Sequence, residues 1–298
     1  MAERTKEVYL YQLIETAVGS RMLVTNLVRF ALTFGIGLCV MFSEALPVSA
    51  KTAPSVFLED VTWTELRDAI KSGTTTIIIP SGGTEQNGPL MALGKHNSRV
   101  KVLAGKIAEA LGNAMIAPVI AYVPEGGVKP PTEHMRFPGT ITVSDRTFEQ
   151  VLESAARSFK LHGFSDIVLI GDHGSYQTDL TAVADKLNRE WAKSSVRVHA
   201  ITQYYHASQG DYDAALLSHG AKHTEIGTHA GLADTSLMLA VEPRLVRTGR
   251  LQSETHLGAA DGVYGGDPTR SSAEFGQLGV DLIVRETVDA IRAATKRN

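Results

Sequence analysis

One five-residue run limits the fold more than any other segment. Thr75–Ile79 reads Thr-Thr-Ile-Ile-Ile, all β-branched, with no polar alternation. Branching at Cβ favours an extended backbone. The missing alternation means that neither face of the strand meets water, which is the habit of a strand in a parallel sheet covered on both sides. Similar runs recur at Ala114–Tyr122, Asp166–Ile170 and Val196–Thr202. Helical spacing separates them: Asn97–Leu111 (Val100, Leu103, Ile107, Leu111), Ser144–His162 (Phe148, Val151, Leu152, Ala155, Phe159) and Gln177–Trp191. Strand and helix in turn give an α/β fold with a mostly parallel sheet covered by helices.

Further signals set the edges. Thr62-Trp63-Thr64-Glu65 is a capping-box pattern that opens a helix with Trp63, Leu66 and Ile70 on one side, and Gly73 ends it. His229–Val241 and Ser271–Thr295 also have helical character, and residues 203–228 read as a long polar and aromatic segment without regular structure. The stretches 123–139 and 203–228 exceed ordinary connection lengths, which favours functional roles for them. No internal repeat or linker divides the chain after residue 50, so 51–298 reads as one domain.

Residues 1–50 read as an N-terminal extension and signal peptide. Arg21 and Arg29 precede the apolar run Phe30–Phe42, and Val48-Ser49-Ala50 offers the small residues of a cleavage site. The run is short for a spanning helix. Met22 is an alternative start. The expectation is a periplasmic or secreted protein with no stable membrane anchor after cleavage. The single cysteine, Cys39, lies inside that segment, so the processed chain carries no thiol. A net charge of −3, with no cluster of basic and aromatic residues, gives no footprint for nucleic acid.

The chemistry-bearing residues lie just past the strands. Ser81–Asn97 carries Glu85, Asn87 and His96 on a Gly/Pro-bent loop, and Gly171-Asp172-His173-Gly174-Ser175 is the turn after the third strand. Loops at the carboxyl ends of parallel strands are where open α/β sheets bind ligands. His229 and Asp234 stand further along. Taken singly, Glu85 serves equally well as a cap for backbone N–H groups and His96 as a plain helix-start residue. His229 fits equally a satisfied helix-end histidine, and Asp234 a local backbone contact. His173, in a glycine-flanked turn after an apolar strand, favours function.

Taken together, the motifs resemble the creatininase (creatinine amidohydrolase) family. The matching pieces run in order: Gly83-Thr84-Glu85-Gln86-Asn87-Gly88-Pro89, Glu133-His134-Met135 with Phe137-Pro138-Gly139-Thr140, Asp172-His173-Gly174, His229-Ala230-Gly231 with Asp234-Thr235-Ser236, and Gly262–Thr269. The resemblance implies a three-layer α/β/α fold, a homo-oligomer (commonly a hexamer), and hydrolysis of a small, often cyclic, amide C–N bond with divalent metals.

Family members use two ions. One is held by the loop Glu, an Asp ending that loop and the turn His. The other is held by a loop His, the same Asp and a carboxylate two residues after the turn His. In this chain Glu85 and His173 match. The shared Asp is His96, the loop His is Asn87, and the second carboxylate is Ser175. A neutral imidazole offers one lone pair and does not bridge two ions. The expected centre is therefore a single divalent ion, zinc or manganese with iron as a further candidate, on Glu85, His96 and His173. The resemblance assigns acid/base work to His229, with Asp234 orienting it, and places Glu133, His134, Tyr176 and Ser175 near a small-molecule substrate. A lactonase-type hydrolase, an Fe(II) enzyme with non-hydrolytic chemistry and an inactive binding protein are the alternatives that the same residues allow.

Overall fold

The computed structural model describes residues 53–254 and 256–296. The expected signal segment lies outside the described residues. Among the described residues, no helix is long and apolar enough to cross a membrane.

Four parallel strands form the sheet in the order β2-β1-β3-β4: β1 (Thr76–Ser81), β2 (Ala114–Ile116), β3 (Asp166–Gly171) and β4 (Arg197–Ala200). In β1, Ile77 and Ile79 face one layer and Ile78 the other, and all three are 0–1% exposed. That is the two-sided burial expected of a run without alternation. Each such side chain gains about 1.5–3 kcal/mol from burial. One layer is α3 (Asp145–His162) with α4 (Gln177–Glu190), which bring Phe148, Leu152, Leu180 and Leu187 onto Ile77 and Ile79. The other is α2 (Lys95–Leu111) with the long C-terminal helix α9 (Ala273–Thr295), which bring Leu103, Ile107, Val280 and Ile283 onto Ile78 and Val168. The fold is thus the expected three-layer α/β/α arrangement.

The local signals mostly act as read. Thr62 caps α1 (Trp63–Lys71) with a complete capping box, and Ser144 caps α3, which ends at Gly163 in the left-handed region. Trp63 departs from its expected side: it is 73% exposed, under the Arg67 guanidinium.

Three expectations are corrected. The second strand pairs only over Ala114–Ile116, because Pro118 interrupts the ladder, and the chain touches β1 again at a single Ser81–Ile120 bridge. Residues 203–228 are mostly helical: α5 (Gln203–His206), a π-helical turn over Ala207–Asp211, α6 (Tyr212–Ser218) and α7 (His223–Ile226). Tyr204, Tyr212 and Leu216 are fully buried there against α9 and the sheet. A non-helical Gln209 breaks the periodicity that would have marked the segment. Finally, His229 does not open a helix. It ends the short strand β5 (Gly227–His229), pairs with Tyr264 of β6 (Tyr264–Gly266), and precedes α8 (Leu232–Val241).

Candidate metal centre

The order 2-1-3-4 reverses direction between β1 and β3. Such a switch point leaves a crevice outside the carboxyl ends of the two strands. The loop after β1 and the turn after β3 both run into it, and the residues of the site come from there.

The β1 loop is held against the start of α2. Asn97 Oδ1 accepts the Gly83 N–H at 2.9 Å, and Glu85 N–H donates to Leu93 O at 3.1 Å. Asn87 is 1% exposed, and its amide donates to the carbonyls of Glu85 (2.9 Å) and Ala92 (3.0 Å). It staples the loop. Glu85, fully buried, is thereby aimed into a group of four imidazoles. Oε1 lies 2.6 Å from His96 Nε2 and 3.7 Å from His229 Nδ1, while Oε2 lies 3.1 Å from His134 Nε2 and 3.5 Å from His173 Nε2. Despite these neighbours Oε2 has no aligned hydrogen-bond donor. Two sets of atoms have the compactness of a metal site: Glu85 with His96 and His173, and Glu85 with His134 and His229.

Each histidine is oriented from behind. His96 Nδ1 meets Asp172 Oδ2 at 2.6 Å. The Ser175 hydroxyl gives its proton to Pro124 O at 2.6 Å, and His173 Nδ1 meets that hydroxyl at 2.8 Å and the Ser175 N–H at 3.3 Å, which turns Nε2 inward. His229 Nε2 meets Gln86 O at 2.9 Å and the Gln86 amide at 3.1 Å, which leaves Nδ1 facing Glu85. Such outer partners fix tautomer and ring direction at metal sites. Burial, against the pull of Glu85, pushes His173 down to about 3. Burial and then the Lys95 charge bring His229 to about 3, and burial also lowers His134. These rings are neutral at ordinary pH, the state in which imidazole ligates.

The carboxylates are sorted by their neighbours. Burial works to raise Glu85, but His96, Lys95 and His173 outweigh it and hold it well below the usual carboxylate range. Asp172 and Asp234 are held down against burial, the first by Arg99 and His96, the second by Lys95 and Arg99. Glu125, 1% exposed, goes the other way: burial and then the Glu85 charge push it up to about 9. Lys95, 1% exposed, reaches Asp234 Oδ2 at 3.0 Å and Glu85 Oε1 at 3.4 Å. Arg99 binds Asp172 at 2.8 Å and Asp234 at 2.7 Å. The orphaned Glu85 oxygen and the imidazoles gathered around it fit a divalent ion.

Several expected site residues fall elsewhere. Tyr176 does not reach a substrate: it is fully buried, its hydroxyl donates to the Ser81 and Gly82 carbonyls (2.9 and 2.5 Å) and accepts the N–H groups of Asp172 and His173 (3.1 and 3.0 Å). It is a strut between the ends of β1 and β3. Ser175 is engaged by His173 and Pro124 and does not line the cleft. Asp234 makes no hydrogen bond to His229. Its oxygens go to Lys95, Arg99 and the Ala230 N–H. His134 is drawn in beside Glu85 and His229, with ring centroids 4.5 Å from the latter, and it also lines the cleft. Glu133 does line the cleft, at a left-handed φ of 45°. Lys95, Arg99 and Glu125 are buried site residues that nothing in their sequence surroundings marks as such.

The cleft over the centre has a volume of about 230 Å³, and Tyr205, Tyr264 and Thr228 complete its walls. Two larger hollows have volumes of about 410 and 500 Å³: the first is lined by residues 53–56, the segment leaving α1, the end of α2 and the start of β2, and the second by α1 with His162. Neither gathers a set of ligand-type side chains.

Comparison with known proteins agrees with this geometry. The family profile described as creatininase, creatinine amidohydrolase, matches residues 59–291. The mycofactocin precursor peptide peptidase of Mycolicibacterium smegmatis is 26% identical over 221 residues, 72% of this chain and 84% of the relative. The creatinine amidohydrolase of Pseudomonas putida is 25% identical over 256 residues, 80% and 96% of the two chains. Among solved structures, a creatininase superposes with a TM-score of 0.67 at 23% identity, covering 82% of this chain and all of the other. A creatininase described as a manganese form gives 0.65 at 24% identity, with the same coverage. The chain therefore belongs to the creatininase family and is a hydrolase of the family's C–N-cleaving kind.

Proposed function

We propose that this protein hydrolyses a small cyclic amide, using one divalent ion held by Glu85, His96 and His173. The observation that carries this reading is the buried Glu85 carboxylate, one oxygen of which lacks an aligned donor among four imidazoles. A zinc or manganese ion there supplies a Lewis acid that polarises a carbonyl and brings a water towards a neutral pKa. The chain's own residues do the rest. Asp172 and Ser175 keep His96 and His173 turned inward. Lys95 places a fixed positive charge beside Glu85. His229, neutral, lining the cleft and with Nδ1 towards Glu85, takes a proton from the attacking water and returns it to the leaving nitrogen. Glu133 at the rim contacts the substrate, and the small cleft favours a compact ring over a long chain.

The segment 22–50 supports export to the periplasm or beyond, and the family resemblance supports a homo-oligomer. The reading is tested by stripping the protein of metal, restoring Zn²⁺, Mn²⁺ or Fe²⁺, and assaying lactams, hydantoins, lactones and N-acyl compounds. Ring-opening of an amide that depends on Zn²⁺ or Mn²⁺ is expected. In His229→Ala, retained metal and lost turnover are expected; unchanged turnover would remove His229 from the mechanism. Oxygen uptake with Fe²⁺ alone would replace hydrolysis with other chemistry.

A further inference from the structure

We propose that Glu125 is a fourth protein ligand of the ion, a second carboxylate facing Glu85 across the site. This rests on the single-ion reading above and extends it to a residue outside both compact ligand sets. Glu125 follows the second strand on a segment pinned at several points. Its N–H donates to Thr142 Oγ1 at 2.9 Å, Val143 N–H donates to Val123 O at 3.2 Å, and the Ser175 hydroxyl donates to Pro124 O. The backbone is therefore tied to the same serine that orients His173. The side chain is 1% exposed, no N–H or hydroxyl donor is aligned to either carboxylate oxygen, and the group it meets is the Glu85 carboxylate. Oε2 stands 3.7 Å from His173 Nε2, the ring nitrogen turned towards Glu85.

The space for this carboxylate is built. A Cβ at Gly83 would collide with Glu125 Oε1, and Gly83 adopts a φ of +150° that side chains rarely take. A bare carboxylate buried beside a second carboxylate is costly unless something compensates it. A cation shared with Glu85 and His173 satisfies the idle oxygens of both acids together. Ser175 is then a positioning residue for two ligands, through the Pro124 carbonyl and through the His173 ring.

The test uses the full chain, freed of metal, with Zn²⁺ as the probe and a chromogenic chelator as competitor. Wild type is expected to bind one ion per chain. Glu125→Gln keeps the volume and removes the charge, and its affinity should fall by at least about 100-fold, the upper end of what outer-partner losses cost. Affinity within threefold of wild type in a variant with unchanged circular dichroism would overturn the proposal. A crystal structure of the zinc-loaded wild type decides it without any variant. A Glu125 oxygen at about 2.0–2.2 Å from the ion supports it, and one beyond about 3 Å overturns it. Failure of wild type itself to bind Zn²⁺ would instead sink the single-ion reading, and Glu125's role with it.

Discussion

Replacing Lys95 by methionine tests how the buried charges of the site are balanced. The ammonium is 1% exposed, 3.0 Å from Asp234 and 3.4 Å from Glu85. Removing one member of a buried ion pair costs about 3–5 kcal/mol, because the partner is left charged and dry. Asp234 keeps Arg99 at 2.7 Å and the Ala230 N–H at 3.0 Å, so the cost belongs at the lower end. Glu85 keeps only imidazoles. A loss of about 3 kcal/mol lowers Tm by roughly 6–12 °C in a domain of this size. An ion bound at Glu85 repays part of that loss, so thermal melts should show a smaller gap with saturating Zn²⁺ than with chelator. The same substitution removes a repelling charge, and zinc affinity should rise. A metal-free variant melting within 2 °C of wild type would show that Lys95 does not hold these carboxylates.

Two further outcomes are expected. Tyr176→Phe leaves two backbone N–H groups and two carbonyls at the strand ends without their shared partner, and should lower stability by about 1–3 kcal/mol in urea melts; a large rise in KM with stability intact would return Tyr176 to the substrate. The metal-free protein should be most stable near pH 6.5. Glu125, raised from 4.5 to about 9, keeps a proton in the fold that the unfolded chain releases, so its contribution is lost as pH rises through that window. His173 and His229, lowered from 6.5 to about 3, stay bare in the fold while the unfolded chain binds two protons, so stability is lost as pH falls from 6.5 towards 3. For these three groups the difference is one proton on the alkaline limb and between pH 6.5 and 4.5, and two below 4.5, at about 1.4 kcal/mol per proton per pH unit. A Tm flat from pH 5 to 8 would contradict these assignments.

Much of the scaffold is legible locally because local rules specify it. The isoleucines of β1 announce their two-sided burial, and Thr62, Ser144 and Gly163 mark helix ends through capping chemistry. Glu85 and His173 are legible by position, since each lies just past a strand of the sheet, and His96 by its place in the first turn of α2, where the β1 loop ends. Other features depend on neighbours distant in sequence. Lys95 looks like any helix-start lysine until Asp234, 139 residues on, is placed against it. Glu125 sits in an ordinary Pro-Glu-Gly-Gly turn, and only the close approach of Gly83 and His173 makes it unusual. Tyr176 reads as a cleft residue from its place beside His173, yet the direction of its side chain is set by Phe148 and the strand-end carbonyls.

Native mass spectrometry of the purified protein with elemental analysis addresses the centre most directly. One zinc or manganese per chain is expected, lost together with activity in His173→Ala and Glu85→Ala. Two tightly held ions per chain, or full metal retention in both variants, would contradict the single-ion centre.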